Sequence, residues 1–585
     1  MRVLRFLKSV VLAPEIYLAV LIGLVVLLEA GGEPKLENME LIRGGRTQFA
    51  GRVSEQMGKN EKFSVEFDLV SGEANTWELQ IIPDDCAVSF FVNGGSFTPK
   101  DKRLCDWKGG FKIDASELPD RRAQTHFVVN MVNKGGLGGI TVNVLSTSAA
   151  SKVWLALRCL LLLALFLCLL HRMRMPVPLA AAILLAMALH FSYTLNTAFT
   201  ERAHDVDSHI DYISYVVKNA SLPAANECWE CYQPPVYYAV SALVWRLGSW
   251  LGVQPERAVQ WLSFLISFFV LALGVQALRS VLHGGSLFLA SLLWLFWPVN
   301  TLASARIGND ILFYLGHVLC FFGALRYLAR RDCKFLVLAA FGSWLAYWTK
   351  STGFVTIAVF WLALALGYFP RSTLKPHLGE GVAVLLALLL LGSVALNVSG
   401  SSGLVGNSSG LAGSLKVEAN AYNMLFFDFK DFLTTTAPSP WEDKGGRQFL
   451  LNYMAKTSLF GEFQLTNNGG LRTAATLLCF SFVALFAFAL VGFWKKLQRR
   501  LLSKIDVFVL AQGLLFLAAM VYFRAKYPYA CSSDFRYVVP ALLSFVPFAG
   551  YGICRQELSR EWHVLGALLA AVFIVSSVVV GLSYN

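Results

Sequence analysis

Long apolar runs separated by short polar ones make up most of this chain. Runs near 10–28, 153–170, 177–195, 258–278, 286–303, 311–328, 335–350, 353–369, 381–397, 472–494, 507–523, 536–554 and 564–582 are long enough, or nearly so, to cross a hydrocarbon core. That core is about 30 Å thick and a helix rises about 1.5 Å per residue. The pattern predicts about 13 transmembrane helices. The stretch 237–252 (YYAVSALVWRLGSWLG) is shorter, carries Arg246 and two tryptophans, and is read as a helix lying in the interface.

Residues 31–150 follow another rule. KFSVEFDLV, TWELQIIP, AVSFFVNGG, THFVVNMV and GGITVNVLS alternate apolar with polar positions between Gly, Asn and Asp turns. A period of two predicts half-buried antiparallel strands, here a β-sandwich-like domain.

Charge orients the spans. With the interfacial stretch left uncrossed and the N-terminus inside, the segments 1–9, 171–176, 279–284, 326–334, 370–380, 495–505 and 555–562 fall on one side, with 19 Lys/Arg against 4 Asp/Glu. Counting 237–252 as a span would send RYLARRDCK and KKLQRRLLSK outside, against the preference of basic residues for inner loops. The sequence therefore predicts a cytoplasmic N-terminus. It predicts an outer sheet domain over 31–150 and outer loops at 196–257 and 398–471. The first run has the basic start of a signal peptide, but the following GGEPKLEN is a poor cleavage site, so residues 1–30 are read as a retained anchor. The remainder, 151–585, is one membrane domain.

Composition agrees with lipid as the solvent: 56% of the 585 residues are hydrophobic, 15% are charged, and the mean hydropathy is +0.54. A soluble domain is about one-quarter charged. The net charge of +12 would suggest nucleic acid, but the basic residues sit in clusters between spans, so no nucleic-acid partner is expected. Of 11 cysteines, Cys86, Cys105, Cys228, Cys231 and Cys531 fall outside. An oxidising compartment favours the bridges Cys86–Cys105 and Cys228–Cys231 over unbridged packing cysteines. A redox role for the CxxC lacks its usual βαβ setting.

The chemistry-bearing stretch is Thr200–Tyr238, TERAHDVDSHIDYISYVVKNASLPAANECWECYQPPVYY. Ile210, Ile213, Val216 and Val217 recur at helical spacing, which predicts an amphipathic helix over 207–218. Asp205 and His209, four residues apart, fall on one face at its start. Read alone, Asp205 would cap the helix and His209 would pack beneath it.

In order, however, the Asp205-Val206-Asp207-Ser208-His209 segment, Leu222-Pro223 and Gln233-Pro234-Pro235-Val236-Tyr237-Tyr238 resemble the bacterial GT-C class of polytopic glycosyltransferases, whose sugar donors are polyprenyl-phosphate-linked. Three later segments resemble the same class: Asn309-Asp310 in ARIGNDIL, Lys350 in WTKSTGF, and Arg536 before a Pro-containing helix. Each also has a plainer reading, as a helix N-cap, a snorkelling lysine and an interface anchor paired with Asp534. The motif covers 200–240 and these points; the sheet domain lies outside the resemblance.

The resemblance implies an inverting transfer of a monosaccharide from a polyprenyl-phosphate donor to an acceptor hydroxyl on the periplasmic face of a bacterial inner membrane. Asp205 is the expected general base, with Asp207 left open as an alternative, and with Asp310 and His209 as further catalytic groups. Lys350 and Arg536 are expected on the donor phosphate, and Gln233, Tyr237 and Asn309 on substrate. Asp205, Asp310 and His209 could also hold a divalent metal ion. The acceptor class stays open between cell-envelope glycan, glycolipid and protein. Phe90, Phe91, Phe97 and Trp107 of the sheet domain are read mostly as core, with acceptor recognition as the alternative, and AYNMLFFDFKDF (421–432) is another place for the acceptor. Competing functions are a transporter or flippase for lipid-linked sugars and an oligosaccharide ligase or polymerase. A transporter would place its charges near the bilayer midplane in repeated halves, and no repeat is visible.

Overall fold

The computed structural model describes residues 14–30, 34–43, 46–49, 52–71, 77–106, 110–119, 122–134, 136–146, 149–368, 415–434, 445–462, 469–499, 501–554 and 559–583, with isolated positions between 381 and 392. Arg2, Arg5, Lys8, Trp107, the segment 370–380, most of the run 381–397 and the Gly/Ser-rich stretch after it lie outside the described residues. The chain divides into two compact units, Met1–Arg174 with Leu247–Pro255, and Met175–Arg246 with Glu256–Asn585.

Among the described residues of the first unit, ten antiparallel strands form two sheets. One has the order β2-β1-β4-β9-β6-β7 and contains Arg46–Phe49, Lys35–Ile42, Lys62–Val70, Gln124–Val132, Cys86–Val92 and Gly95–Phe97. The other has the order β3-β10-β5-β8 and contains Arg52–Met57, Gly136–Ser146, Trp77–Asp84 and Phe111–Asp114. β4 alternates buried and half-buried positions along its length, as period-two patterning requires. Its Val65 and Phe67 join Trp77, Ile81, Phe111 and Phe127 from both sheets in one core. Phe90 belongs to that core and Phe97 packs at its edge. Cys86 is bonded to Cys105. The helices α1 (Pro14–Ala30) and α2 (Ala149–Arg172) flank the sheets in sequence, and Arg172 at the end of α2 pairs with Glu15 at the start of α1.

The second unit is helical: α3 (Val177–Asn196), α4 (Val206–Asn219), α5 (Val236–Trp250, whose last turn belongs to the first unit), α6 (Pro255–Leu278), α7 (Gly284–Leu295), α8 (Pro298–Ser304), α9 (Asp310–Arg330), α10 (Cys333–Thr349), α11 (Phe354–Tyr368), α12 (Ala421–Leu425), α13 (Phe429–Thr434), α14 (Leu450–Phe460), α15 (Gly469–Gln498), α16 (Lys504–Lys526), α17 (Leu542–Ile553) and α18 (Arg560–Ser583). Across both units, seven described helices are long and apolar enough to cross a membrane, and α7 with α8, bent by 47°, would make an eighth. Pro298 at the break explains the bend, because it removes a helical hydrogen bond. Of the remaining expected spans, α1 and α10 form helices of 17 residues each, and the apolar helices Ser351–Gly367 and Val539–Ile553 are likewise short. The chain is a multi-pass membrane protein with a β-rich N-terminal region.

Glycine lets α9 and α10 approach closely. A Cβ on Gly316 of α9 would meet the Ala346 backbone nitrogen at 2.6 Å, and one on Gly342 of α10 would meet that of Cys320 at 2.4 Å. Small residues let the two backbones touch. Because α9 and α10 run antiparallel, the first residue of α9, Asp310, lands beside Lys350, the residue that ends α10.

Candidate active site

Asp205 stands at the N-terminus of α4 with φ +50°, in the left-handed region, and its side chain makes no capping hydrogen bond. Its main-chain carbonyl takes the His209 N–H at 3.0 Å instead. Left-handed backbone costs a non-glycine residue about 1 kcal/mol, less for Asp than for most. The conformation leaves the carboxylate 44% exposed and 3.7 Å from Arg536. Asp207, one position into the helix, is half-buried.

Arg536 is the hub. It lies on a short turn, Phe535–Tyr537, whose start is fixed by Asp534: the Asp534 carboxylate accepts the Arg536 backbone N–H at 2.9 Å. The Tyr314 hydroxyl of α9 donates to the Arg536 carbonyl at 2.6 Å. The guanidinium then reaches Asp534 at 3.4 Å, Asp205 at 3.7 Å and Asp310 at 4.0 Å. It donates to the Tyr537 hydroxyl at 3.0 Å. Lys350 pairs with Asp310 and lies 4.8 Å from the centre of the Tyr537 ring. The turn holding Lys350 depends on Gly353, where a Cβ would sit 2.3 Å from the Ala346 carbonyl oxygen. Three carboxylates and two cations thus meet, contributed by segments more than 300 positions apart.

His209 is buried, and burial pulls its pKa down to about 4, so the ring is neutral near pH 7. Its Nδ1 lies 2.9 Å from the Tyr238 hydroxyl. Tyr238 stacks on Tyr212 at 3.7 Å, clamping the start of α5 to α4. The Tyr237 hydroxyl accepts the Gly308 N–H at 2.8 Å, tying the same tyrosine pair to the turn before Asp310. Tyr237 and Tyr238 are both wholly buried. Tyr237, expected on substrate, thus has its hydroxyl accepting a backbone N–H in the turn before Asp310. Asn309 is buried at the head of α9 and makes no side-chain cap. Gln233 gives its amide to the Tyr232 hydroxyl at 3.0 Å.

Asp205, Asp310 and His209 are the residues expected at a metal ion. Asp310 pairs with Lys350 and Arg536, and His209 meets Tyr238 through Nδ1; among the described residues Asp205, Asp310 and His209 do not bring three ligand atoms within 4.8 Å of one another. Among the described residues, the group of such side chains that does converge is His204, Glu462 and Asp534, with ligand atoms within 4.8 Å of one another. His204 lies between the two carboxylates, 3.5 Å from Glu462 through Nδ1 and 3.5 Å from Asp534 through Nε2. Burial drives the His204 pKa well below its usual value, with Arg536 adding to the effect. Burial, then Asp534, lifts Glu462 to about 8, and the Tyr453 hydroxyl lies 2.7 Å from it. Burial also raises Asp534, against the pull of Arg536.

Glu230 was not legible as a site residue. It lies inside the Cys228–Cys231 disulfide ring, 5% exposed, with one carboxyl oxygen buried and without a hydrogen-bond partner. Burial raises its pKa to about 7, the negative charge of Asp205 adds to this, and Lys350 and Arg536 oppose it, so the carboxyl belongs to the same electrostatic cluster. An acid flanked by two cysteines was the available signal. A narrow cleft lined by His204, His209, Arg306, Asp310, Tyr314 and Arg536 opens among these groups.

No family model matches the chain, and no curated protein does. Among solved structures, the chain is similar to ArnT from Cupriavidus metallidurans bound to undecaprenyl phosphate, at 11% identity and a TM-score of 0.41, over 69% of this chain and 75% of that one. It is also similar to the apo oligosaccharyltransferase of Archaeoglobus fulgidus, at 12% identity and a TM-score of 0.37, over 69% and 56% of the two chains. A third is the arabinosyltransferase EmbB from Mycobacterium smegmatis, at 11% identity and a TM-score of 0.38, over 93% and 54%. The chain spans little more than half the length of the last two.

Proposed function

We propose that this chain is an inverting GT-C-type glycosyltransferase that moves a monosaccharide from a polyprenyl-phosphate donor to an acceptor hydroxyl, on the periplasmic face of a bacterial inner membrane. The observation that carries the reading is the Asp205 carboxylate. It stands at a helix N-terminus without capping it, remains accessible, and faces a guanidinium that also holds Asp310.

In the proposed step, Asp205 takes the proton of the acceptor hydroxyl as that oxygen attacks the anomeric carbon. The bond from the anomeric carbon to the phosphate oxygen breaks, and its electron pair leaves with the phosphate. Arg536 and Lys350 receive that charge in a site of low dielectric, where it is stabilised more than in water. Lys350 pairs with Asp310, and Arg536 with Asp205, Asp310 and Asp534; a donor phosphate would share these two cations. His209, neutral and bound to Tyr238, positions α4 rather than carrying a proton. Asp310 orients Lys350, and Tyr237 holds the Gly308 turn that presents Asp310.

A transporter would need its charges deep in the bilayer. Here Asp205, Asp310, Lys350 and Arg536 all stand at or beyond helix ends, which favours surface chemistry. The test is Asp205→Asn. It should lower sugar transfer about 10²–10⁴-fold while detergent-extracted protein keeps the wild-type elution profile and melting temperature. Near-normal turnover would exclude Asp205 as the base, and Asp207→Asn would then be the comparison to make.

A further inference from the structure

The segment Ala421–Thr434 has an inverted surface. Tyr422, Leu425 and Phe429 are 60%, 75% and 58% exposed, and Phe426 beside them is 37% exposed. Its Asp431 turns inward. Asp431 pairs at 2.7 Å with Lys456, which is itself wholly buried. Asn452 accepts the Asp428 backbone N–H at 2.7 Å and donates to the Asp428 carbonyl and the Asp431 carboxylate at 2.9 and 3.1 Å. Water selects the opposite arrangement; hydrocarbon selects this one, with polar groups satisfied inside and apolar groups facing out. The exposed Lys430 is long enough to carry its ammonium to the headgroups.

A contact fixes the depth. Phe432 packs on Phe482 of α15, ring centres 5.5 Å apart. Phe482 is midway between Gly469 and Lys495, about 20 Å from each at about 1.5 Å per residue. With Lys495 and Lys496 held at one edge of a hydrocarbon core about 30 Å thick, Phe482 lies about 10 Å inside the opposite edge. α13 therefore touches a membrane span below the headgroups. Leu477, Phe480 and Phe486 of α15 are exposed as well, as expected of a helix in contact with lipid.

We propose that Ala421–Thr434 is a re-entrant segment immersed in the leaflet away from Lys495, and that its Tyr422–Leu425–Phe429 face is a contact surface for membrane-lipid hydrocarbon. α14 supports it from behind. The other flank of α14 holds the Arg536 turn, through the Phe535 N–H donated to the Thr457 hydroxyl at 2.9 Å. One helix thus links a lipid-contact element to the guanidinium at the site.

The test uses the full chain in nanodiscs of phosphatidylethanolamine and phosphatidylglycerol without any polyprenyl lipid. Leu425 or Phe429 is replaced by the photo-crosslinker p-benzoylphenylalanine. The control position is Glu418, next to the strand bridge to Tyr529 beyond the end of α16. Illumination should give phospholipid adducts at 425 and 429 and none at 418, read by mass spectrometry. Absence of lipid adducts at 425 and 429, equal adducts at 418, or crosslinks to a second copy of the chain would overturn the proposal. Where the bulky crosslinker prevents folding, a nitroxide on Phe429→Cys should relax with oxygen rather than with a water-soluble nickel chelate; the reverse order overturns it equally.

Discussion

Asp205 adopts a strained backbone that a simple N-cap does not need. An Asp, Ser or Asn cap normally sits in extended conformation and bonds the first turn, whereas here φ is +50° and the carboxylate faces Arg536. Glu230 shows the same principle in its protonation. Folded Glu230 keeps its proton up to about pH 7, against a usual value of 4.5. The folded state then binds more protons than the unfolded one between those values, so this group's contribution to stability is lost as pH rises from about 4.5 through 7. Glu230→Gln should remove that loss. Thermal unfolding in detergent should show the variant gaining on the wild type between pH 5 and pH 8, by at most about 3 kcal/mol; a variant that loses ground over that range contradicts the buried, proton-holding carboxyl. His209 works in the opposite sense. Its folded pKa of about 4 against 6.5 makes its contribution complete above pH 6.5 and lost as pH falls toward 4.

At the scale of elements, the Asp310–Lys350 pair is a product of how two helices pack. Gly342→Ala puts a methyl into the Cys320 backbone, which should cost about 1–3 kcal/mol as overpacking. It should also part α9 from α10 and raise the donor KM more than it lowers kcat. A variant that is destabilised yet keeps its donor KM would separate the helix contact from the site. Arg536→Lys keeps the charge but loses the planar fork that spans Asp205, Asp310 and Asp534. Donor use should fall at least about 10-fold, with no rescue by pH.

Much at this scale was legible. Period-two runs marked the strands of the two sheets, apolar runs marked the long helices, and the helical spacing of Ile210, Ile213, Val216 and Val217 marked α4. The cluster His204, Glu462 and Asp534 was not legible, because it depends on burial of charges from three distant segments. The hydrogen bond from the Gly308 N–H to the Tyr237 hydroxyl was hidden for a related reason: it joins two segments 71 positions apart.

For the whole molecule, the topology read from 19 inner basic residues against 4 acidic ones requires Asp205, Asp310, Lys350 and Arg536 to share one face. The structure places them in mutual contact. In the second unit Lys496, near the end of α15, pairs with Asp506 in the first turn of α16; in the first unit Arg172 at the end of α2 pairs with Glu15 at the start of α1. These pairs stand at or near helix ends, leaving the apolar stretches between them to lipid. The central claim is that the gathered charge at the Asp205 end performs glycosyl transfer. The most direct measurement supplies purified protein in nanodiscs with a polyprenyl-phosphate monosaccharide and an envelope-glycan acceptor, and follows the lipid phosphate by ³¹P resonance alongside the anomeric configuration of the product. The account predicts one polyprenyl phosphate released per sugar transferred, with inversion, and neither with Asp205→Asn. Sugar-lipid that crosses the bilayer intact, or a product with retained configuration, would contradict it.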